Sequence, residues 1–223
     1  MHKTVVITGA SRGIGYALTK YFLNNNFKVI GTSRTGQIKD LDHKNLEIVK
    51  LDLSDLRNIT QAVNDITSKF KIIDILINNA GIGPDLDFLL PEKKIFADTF
   101  SANVTGTVFF TESLLNHINE NGKLVNVSSK MGSIELCKLS DSVAYRMSKS
   151  ALNMYTKILS NRLLGKQTVA AIHPGWVKTT IAKSNINGRL SADESAMGIY
   201  NFVTSDFKTG IFCDIETQSK LNW

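Results

Sequence analysis

Tyr145 and Lys149 stand four residues apart in the stretch AYRMSKSALN, and a Ser128–Ser129 pair lies upstream of them. A phenol is a poor acid at neutral pH, with an ordinary pKa of about 10. On a helix, the i, i+4 spacing puts both side chains on one face. An ammonium group beside a phenol favours the phenolate and lowers that pKa. A tyrosine tuned in this way can give a proton to an oxygen or take one from it. The same four-residue spacing also occurs on many ordinary helix surfaces, so the residues around the pair carry the argument.

The other end of the chain supplies a second chemical feature. TGASRGIG, Thr8–Gly15, follows a β-branched run and opens an amphipathic segment. Gly9, Gly13 and Gly15 allow a sharp turn and a close backbone approach to a pyrophosphate, with Ser11, Arg12 and Ile14 completing the turn. The helix start offers unpaired N–H groups and the positive end of the helix dipole.

These groups need elements to hold them. Strand-length apolar runs occur at Lys3–Gly9, Phe27–Ser33, Leu46–Leu53, Ile72–Gly81, Gly122–Ser129, Gln167–Gly175 and Lys208–Asp214. Between them lie helical patterns at Gly13–Asn24, Asp55–Phe70 with Ser54 as N-cap, Glu92–Ile118 with a bend near Gly106, Ser142–Leu163, and Ala192–Thr204. Alternating strands and helices predict an α/β fold. The expected form is one Rossmann-type doubly wound domain over residues 1–223, with a seven-stranded parallel sheet and helices on both faces. Ser129 then ends the fifth strand, at the carboxyl edge where open α/β sheets bind ligands. Its hydroxyl can hydrogen-bond a substrate oxygen and favour charge developing there.

The glycine spacing is Gly-x-x-x-Gly-x-Gly after a threonine, and with this motif the chain resembles the short-chain dehydrogenase/reductase family. The resemblance runs from Thr8 to the last strand and rests on several motifs in the family's order. AYRMSKSALN followed by HPGWVKT is similar to the family's small NADPH-dependent carbonyl reductases, the Sniffer- and C-factor-like group.

The resemblance implies roles for particular residues. In Asn126–Ser129 the family pattern makes Ser129, not Ser128, the catalytic serine, beside Tyr145 and Lys149. Asn103 in SANVTG matches a fourth catalytic residue that holds a relay water for the lysine. Lys149 also holds the ribose of the nicotinamide half. Asp52 would hydrogen-bond the adenine amine, and Asn79, Ala80 and Gly81 of NNAG would line the adenosine side. In the Pro174–Thr179 segment, Pro174, Gly175, the Val177 backbone and the Thr179 hydroxyl would meet the nicotinamide carboxamide.

The second strand ends Gly31-Thr32-Ser33-Arg34 with no carboxylate to take a ribose hydroxyl. Arg34 and Arg12 instead suit a 2′-phosphate, which guanidinium groups bind through paired, charge-assisted hydrogen bonds. The expected cofactor is therefore NADP(H). The expected reaction is hydride transfer that interconverts a small-molecule carbonyl and an alcohol, with Tyr145 as general acid/base. The alternative is a regulatory or signalling protein of the C-factor type that binds NADP(H) with incidental or no turnover. The intact set Asn103, Ser129, Tyr145 and Lys149 favours catalysis. The loops Ile82–Pro91, Lys130–Ala144 and Ile181–Leu190 are the expected substrate lining and carry no obvious charged anchor.

Composition sets outer bounds. The chain has 223 residues, 43% of them hydrophobic, and a formal net charge of +6. No basic run or aromatic-interleaved stripe points to nucleic acid, and no apolar run reaches the ~18 residues of a membrane span. MHKTVVITGA is too short in its apolar part for a signal peptide, so a cytoplasmic location is expected. Cys137 and Cys213 lack metal-ligand spacing and read as reduced thiols, and no metal is expected. His173 precedes Pro174 and is given no chemical role. The resemblance implies a homodimer or homotetramer, although small carbonyl reductases also include monomers.

Overall fold

The computed structural model describes residues 2–223. All strands join one sheet. They are β1 (Thr4–Ile7), β2 (Lys28–Ser33), β3 (Leu46–Lys50), β4 (Ile73–Asn78), β5 (Ile118–Val127), β6 (Thr168–His173), β7 (Ile211–Asp214) and β8 (Ser219–Lys220). The spatial order is β3-β2-β1-β4-β5-β6-β7-β8. The first seven are parallel, and β8 returns antiparallel to β7. The expected seven parallel strands are thus joined by an eighth. At two residues, β8 is too short to leave a pattern in the sequence.

The helices are α1 (Gly13–Asn24), α2 (Leu56–Lys69), α3 (Lys93–Phe100), α4 (Thr107–Leu114), α5 (Val143–Arg162) and α6 (Ala192–Thr204). Parallel strands covered on both faces need apolar side chains on both faces. In β1, Val5 and Ile7 join a core with Leu18 and Phe22 of α1 and Ile199 and Val203 of α6. Val6 points the other way, into a core with Ile59 and Ile66 of α2, Phe110 and Leu114 of α4, and Leu159 of α5.

Two helix expectations change. Asp55, not Ser54, caps α2: its Oδ1 accepts from the N–H groups of Arg57 (2.9 Å) and Asn58 (3.3 Å). Ser54 instead donates its hydroxyl to Asp52 Oδ1 at 2.6 Å. The long Glu92–Ile118 pattern is one unbroken helical run, Lys93–His117, but of mixed type. A π-type turn, Ser101–Gly106, separates α3 from α4, a 3₁₀ turn over Leu115–His117 follows, and β5 already starts at Ile118.

Gly106 sits at the junction because another backbone lies against it. A Cβ there would come within 1.8 Å of the Leu53 carbonyl oxygen. Helix propensity alone predicts that alanine would gain about 1 kcal/mol at this position. Overpacking of this kind costs about 1–3 kcal/mol or more and wins, because the obstacle is backbone. Gly106→Ala is expected to destabilise the protein by about 2 kcal/mol, read as a lower urea midpoint. A raised midpoint would contradict the packing.

Candidate active site

The glycine turn lies between β1 and α1. Gly9 and Gly13 take positive φ values of 70° and 55°. A Cβ on Gly15 would meet the Gly9 carbonyl oxygen at 2.3 Å and Asn79 Nδ2 at 2.5 Å, so the backbone of the turn folds tightly on itself. The Arg12 side chain makes no capping bond to α1. The first N–H groups of a helix have no intrahelical partner, and here no side chain of the N-cap residue takes them.

A neighbouring loop braces this turn. Thr8 Oγ1 accepts from the N–H groups of Asn79 (3.0 Å) and Ala80 (2.9 Å), and Asn79 Nδ2 donates to the Thr8 carbonyl at 2.9 Å. Asn79 and Ala80 thus lie against the glycine turn. Thr8, in the sequence only the first residue of the motif, carries the connection. Thr179 also comes to this turn, its Cγ2 lying 3.7 Å from where a Gly13 Cβ would stand.

One level deeper, polar side chains cross the sheet. Asn78 Nδ2 donates to Asn126 Oδ1 and to Thr111 Oγ1, both at 2.8 Å, and Asn126 Nδ2 donates to Thr156 Oγ1 at 2.8 Å. All four residues are buried. The line ties α4 and α5 to β4 and β5.

Tyr145, Lys149, Ser129 and Asn103 converge above that layer, and all four are buried. Lys149 Nζ donates to the Val127 carbonyl at 2.9 Å and lies 5.6 Å from the centre of the Tyr145 ring. A Cβ on Gly81 would stand 3.2 Å from Asn103 Oδ1 and 3.4 Å from Lys149 Nζ. The asparagine and the lysine therefore flank the same small glycine. Ser129 Oγ accepts from the Met131 N–H at 3.2 Å, capping a 3₁₀ turn over Lys130–Gly132. That turn packs on α5: Ser150 and Asn153 both donate to the Gly132 carbonyl, at 2.9 and 3.1 Å. Ser128 points inward and donates to Asn153 Oδ1 at 2.6 Å, which leaves Ser129 as the serine beside the phenol.

Asn103 stands inside the π-type turn, and its side chain is heavily engaged. Its Oδ1 accepts from the Ile82 N–H at 2.8 Å, while Nδ2 donates to the Ile82 carbonyl (2.8 Å) and to Ser148 Oγ (3.1 Å). Ser148 carries no signal in the sequence and Ile82 is there only the edge of a substrate-lining loop; their partnership with Asn103 follows only from the fold.

The electrostatics differ from the sequence expectation. Burial pushes the Tyr145 phenol up to about 12; a hydrogen bond with Ser129 pulls the other way, and the Asp85 carboxylate adds to the rise. Burial also pulls Lys149 down to about 8. In the protein alone, desolvation therefore outweighs the Ser129 hydrogen bond, and the phenol is a weaker acid than in water.

Arg12 and Arg34 are exposed. Among the described residues, neither enters an ion pair. Asp52 Oδ1 accepts from the N–H of Ser54 at 2.9 Å as well as from its hydroxyl. Those bonds hold Asp52 below the usual carboxylate range, with lesser help from the charges of Arg34 and Lys50.

Val177 is buried, and its carbonyl accepts from Asn185 Nδ2 at 3.0 Å. The segment after Thr179 folds back over it: Lys178 N–H donates to the Leu190 carbonyl (2.8 Å) and Leu190 N–H to the Trp176 carbonyl (3.0 Å). Pro174 accepts from Ser195 Oγ at 2.7 Å, and Gly175 takes a φ of 89°. His173, Asp214 and Glu216 bring ligand-type atoms within 4.8 Å of one another. Both carboxylates are already answered by cations, Asp214 by Lys130 at 3.0 Å and Glu216 by Arg189 at 2.7 Å. Burial pulls His173 down to about 4, so it stays neutral there.

Two surface cavities, of about 270 and 350 Å³, lie elsewhere: one between Lys20, Tyr21, Asn24 and Asp193, the other beside Lys3, Phe27 and Asp74. Neither borders Tyr145, and the chemistry of the side chains locates the site better than cavity size does. Among the described residues, no helix is long and apolar enough to cross a membrane.

The family model for short chain dehydrogenases matches residues 3–189. The chain belongs to the short-chain dehydrogenase/reductase family, a family of oxidoreductases. Within it, the chain is similar to the Sniffer-like carbonyl reductases. The carbonyl reductase Sniffer of D. melanogaster superposes with a TM-score of 0.88 at 28% identity, covering 100% of both chains. The NADPH-bound carbonyl reductase from chicken fatty liver gives 0.87 at 27% identity, covering 100% of this chain and 99% of that one. An uncharacterized oxidoreductase of Schizosaccharomyces pombe is 32% identical over 188 residues, which cover 82% of this chain and 63% of that relative. The chain thus spans under two thirds of that relative's length.

Proposed function

We propose that this chain, as a single domain, is an NADP(H)-dependent oxidoreductase that interconverts a carbonyl and an alcohol on a small molecule. The observation that carries this reading is the buried grouping of Tyr145 with Ser129 and Lys149, with Lys149 and Asn103 both flanking Gly81, beside a braced glycine turn. The turn fits a dinucleotide because it leaves no room for a side chain at Gly15 and leaves the start of α1 without a side-chain cap. When bound, the nicotinamide group supplies or accepts a hydride.

The chain's own residues do the rest. Gly9, Ser11, Gly13, Ile14 and Gly15 hold the pyrophosphate, and Arg12 and Arg34 hold the 2′-phosphate. Asp52, Asn79, Ala80 and Gly81 line the adenosine side; Pro174, Gly175, Val177 and Thr179 orient the carboxamide. Ser129 donates to the substrate oxygen, and Tyr145 gives that oxygen a proton in reduction or removes one in oxidation. Lys149 holds the ribose and eases charge on the phenol.

The test is NADPH oxidation with a panel of small aldehydes, diketones and quinones. Turnover on a subset is expected. Tight NADPH binding with no turnover on any member would sink the enzyme reading in favour of a sensor.

Cofactor choice has its own test. Arg34→Asp removes a charge-assisted contact worth about 1.5–3 kcal/mol. The ratio of NADPH to NADH activity should fall by about 10–100-fold. An unchanged ratio would remove Arg34 from the site.

A further inference from the structure

The helix that bears Tyr145 lacks a cap of its own. Ser142, at its N-terminal edge, has a φ of 56° and makes no side-chain capping bond. A carboxylate from a distant loop takes that place. Asp85 Oδ2 accepts from the Ala144 N–H at 2.7 Å, and both its oxygens accept from the Tyr145 N–H at 3.2 Å. Asp85 is only 1% exposed.

The loop around Asp85 is fastened along its length. Asp87 N–H donates to Ser142 Oγ at 3.1 Å, and Ser142 N–H donates to the Phe88 carbonyl at 2.8 Å. At its near end, Ile82 is held by Asn103. Gly83 sits against the ring itself, where a Cβ would come within 3.0 Å of Tyr145 Cδ2.

We propose that Asp85 is a positioning residue for Tyr145: its carboxylate fixes the turn of α5 that carries the phenol and opposes negative charge on that phenol. The proposal rests on Tyr145 being the acid/base. A helix start favours nearby anions, so without the carboxylate the same N–H groups would favour a phenolate. Asp85 satisfies those groups and cancels their field.

The charged groups that face Tyr145 are Lys149 on its own helix and Asp85 on the loop after β4. From the end of β5 comes only the neutral hydroxyl of Ser129. Arg146, the next residue along α5, is held by Asp141 at 2.6 Å. The Asp85 charge acts in the same direction as burial on Tyr145.

Asp85→Asn keeps an acceptor oxygen and removes the charge. In reduction, Tyr145 must be protonated, so the rate falls as pH rises through its pKa. The alkaline limb of kcat/KM should move down by about half a pH unit to one unit in Asp85→Asn, a roughly 3–10-fold loss at fixed pH on that limb. Asp85→Ala, which also loses the cap, should in addition lower kcat at the pH optimum. An unmoved limb in a folded Asp85→Asn protein overturns the charge role.

If Tyr145→Phe stays active, it is the acid/base reading that fails. If Tyr145→Phe is inactive while the Asp85→Asn limb stays put, only the Asp85 proposal fails. A direct measurement needs no turnover: ¹³Cζ-tyrosine NMR of the cofactor-free protein, with the Tyr145 signal identified by its loss in Tyr145→Phe. The signal should titrate above the ordinary ~10, and lower in Asp85→Asn than in the wild type. If the variants do not fold, a wild-type midpoint at or below ~10 overturns the proposal.

Discussion

Tyr145→Phe is expected to lower turnover by about two to four orders of magnitude, the scale of general acid–base assistance. The substitution removes one hydroxyl and keeps the ring, which is buried and packed beside Gly83. Fold and cofactor affinity should therefore stay nearly intact, the latter measured by NADPH fluorescence titration. The same phenol gives a directional expectation. Burial holds it up at about 12 in the protein alone, so its acid form dominates near neutrality. Carbonyl reduction should be the easier direction there, and alcohol oxidation should climb as pH rises. A Phe variant that retains wild-type turnover would remove Tyr145 from the chemistry.

Lys149→Met should separate activity from stability. Lys149 is 4% exposed, and among the described residues its ammonium has one protein acceptor, the Val127 carbonyl. Its folded value is drawn down from 10.5 to about 8. Between those two values the unfolded chain holds the extra proton. The cost to folding is therefore complete below about pH 8 and fades as pH rises towards 10.5.

That cost is on the order of 3 kcal/mol at neutral pH. Methionine removes it and leaves the Val127 carbonyl unpartnered, for about 1–2 kcal/mol in the other direction. A net gain of about 1–2 kcal/mol is expected at pH 7, shrinking at alkaline pH, as found where buried charges are exchanged for apolar groups. Turnover should meanwhile fall by about two orders of magnitude or more. Parallel thermal melts and assays check both halves, and a variant that melts lower than the wild type at pH 7 would show that the ammonium is better satisfied than its single bond suggests.

Local patterns in the sequence were readable where local physics decides. The apolar periodicity of α1 and α6 marks both helices at their observed bounds. The glycine turn and the Tyr–Lys spacing follow from residue type and order, and the choice of Ser129 over Ser128 from the family resemblance. Long-range effects were not readable. Ser54 and Asp55 are both good N-caps, and only the competing bond from Ser54 to Asp52 decides between them.

Gly106 predicts a bend in the sequence; in the structure it ends the π-type stretch, and what excludes a side chain there is Leu53, which approaches from a different segment. The spacing of Tyr145 and Lys149 shows that they are neighbours and says nothing of how dry their surroundings are. It is dryness that sets the direction of both their shifts. Asp85 lies 59 residues before the N–H group it binds most closely. In the sequence it is one polar residue after a proline, with a turn as the ordinary explanation.

The asparagine pair across β4 and β5 bears on how the chain finds its fold. Asn78 and Asn126 are direct partners in the parallel pairing. They join through their side chains, with Thr111 and Thr156 closing the line at either end. The residues next to them, Leu76 and Ile77 on β4 and Leu124, Val125 and Val127 on β5, are interchangeable aliphatics that would tolerate a slipped alignment. A slip would strand two amides among hydrocarbon, at about 1–3 kcal/mol for each orphaned group. The polar pair thus works as a key that admits one alignment of two strands far apart in the chain, during the slow non-local search that parallel sheets require.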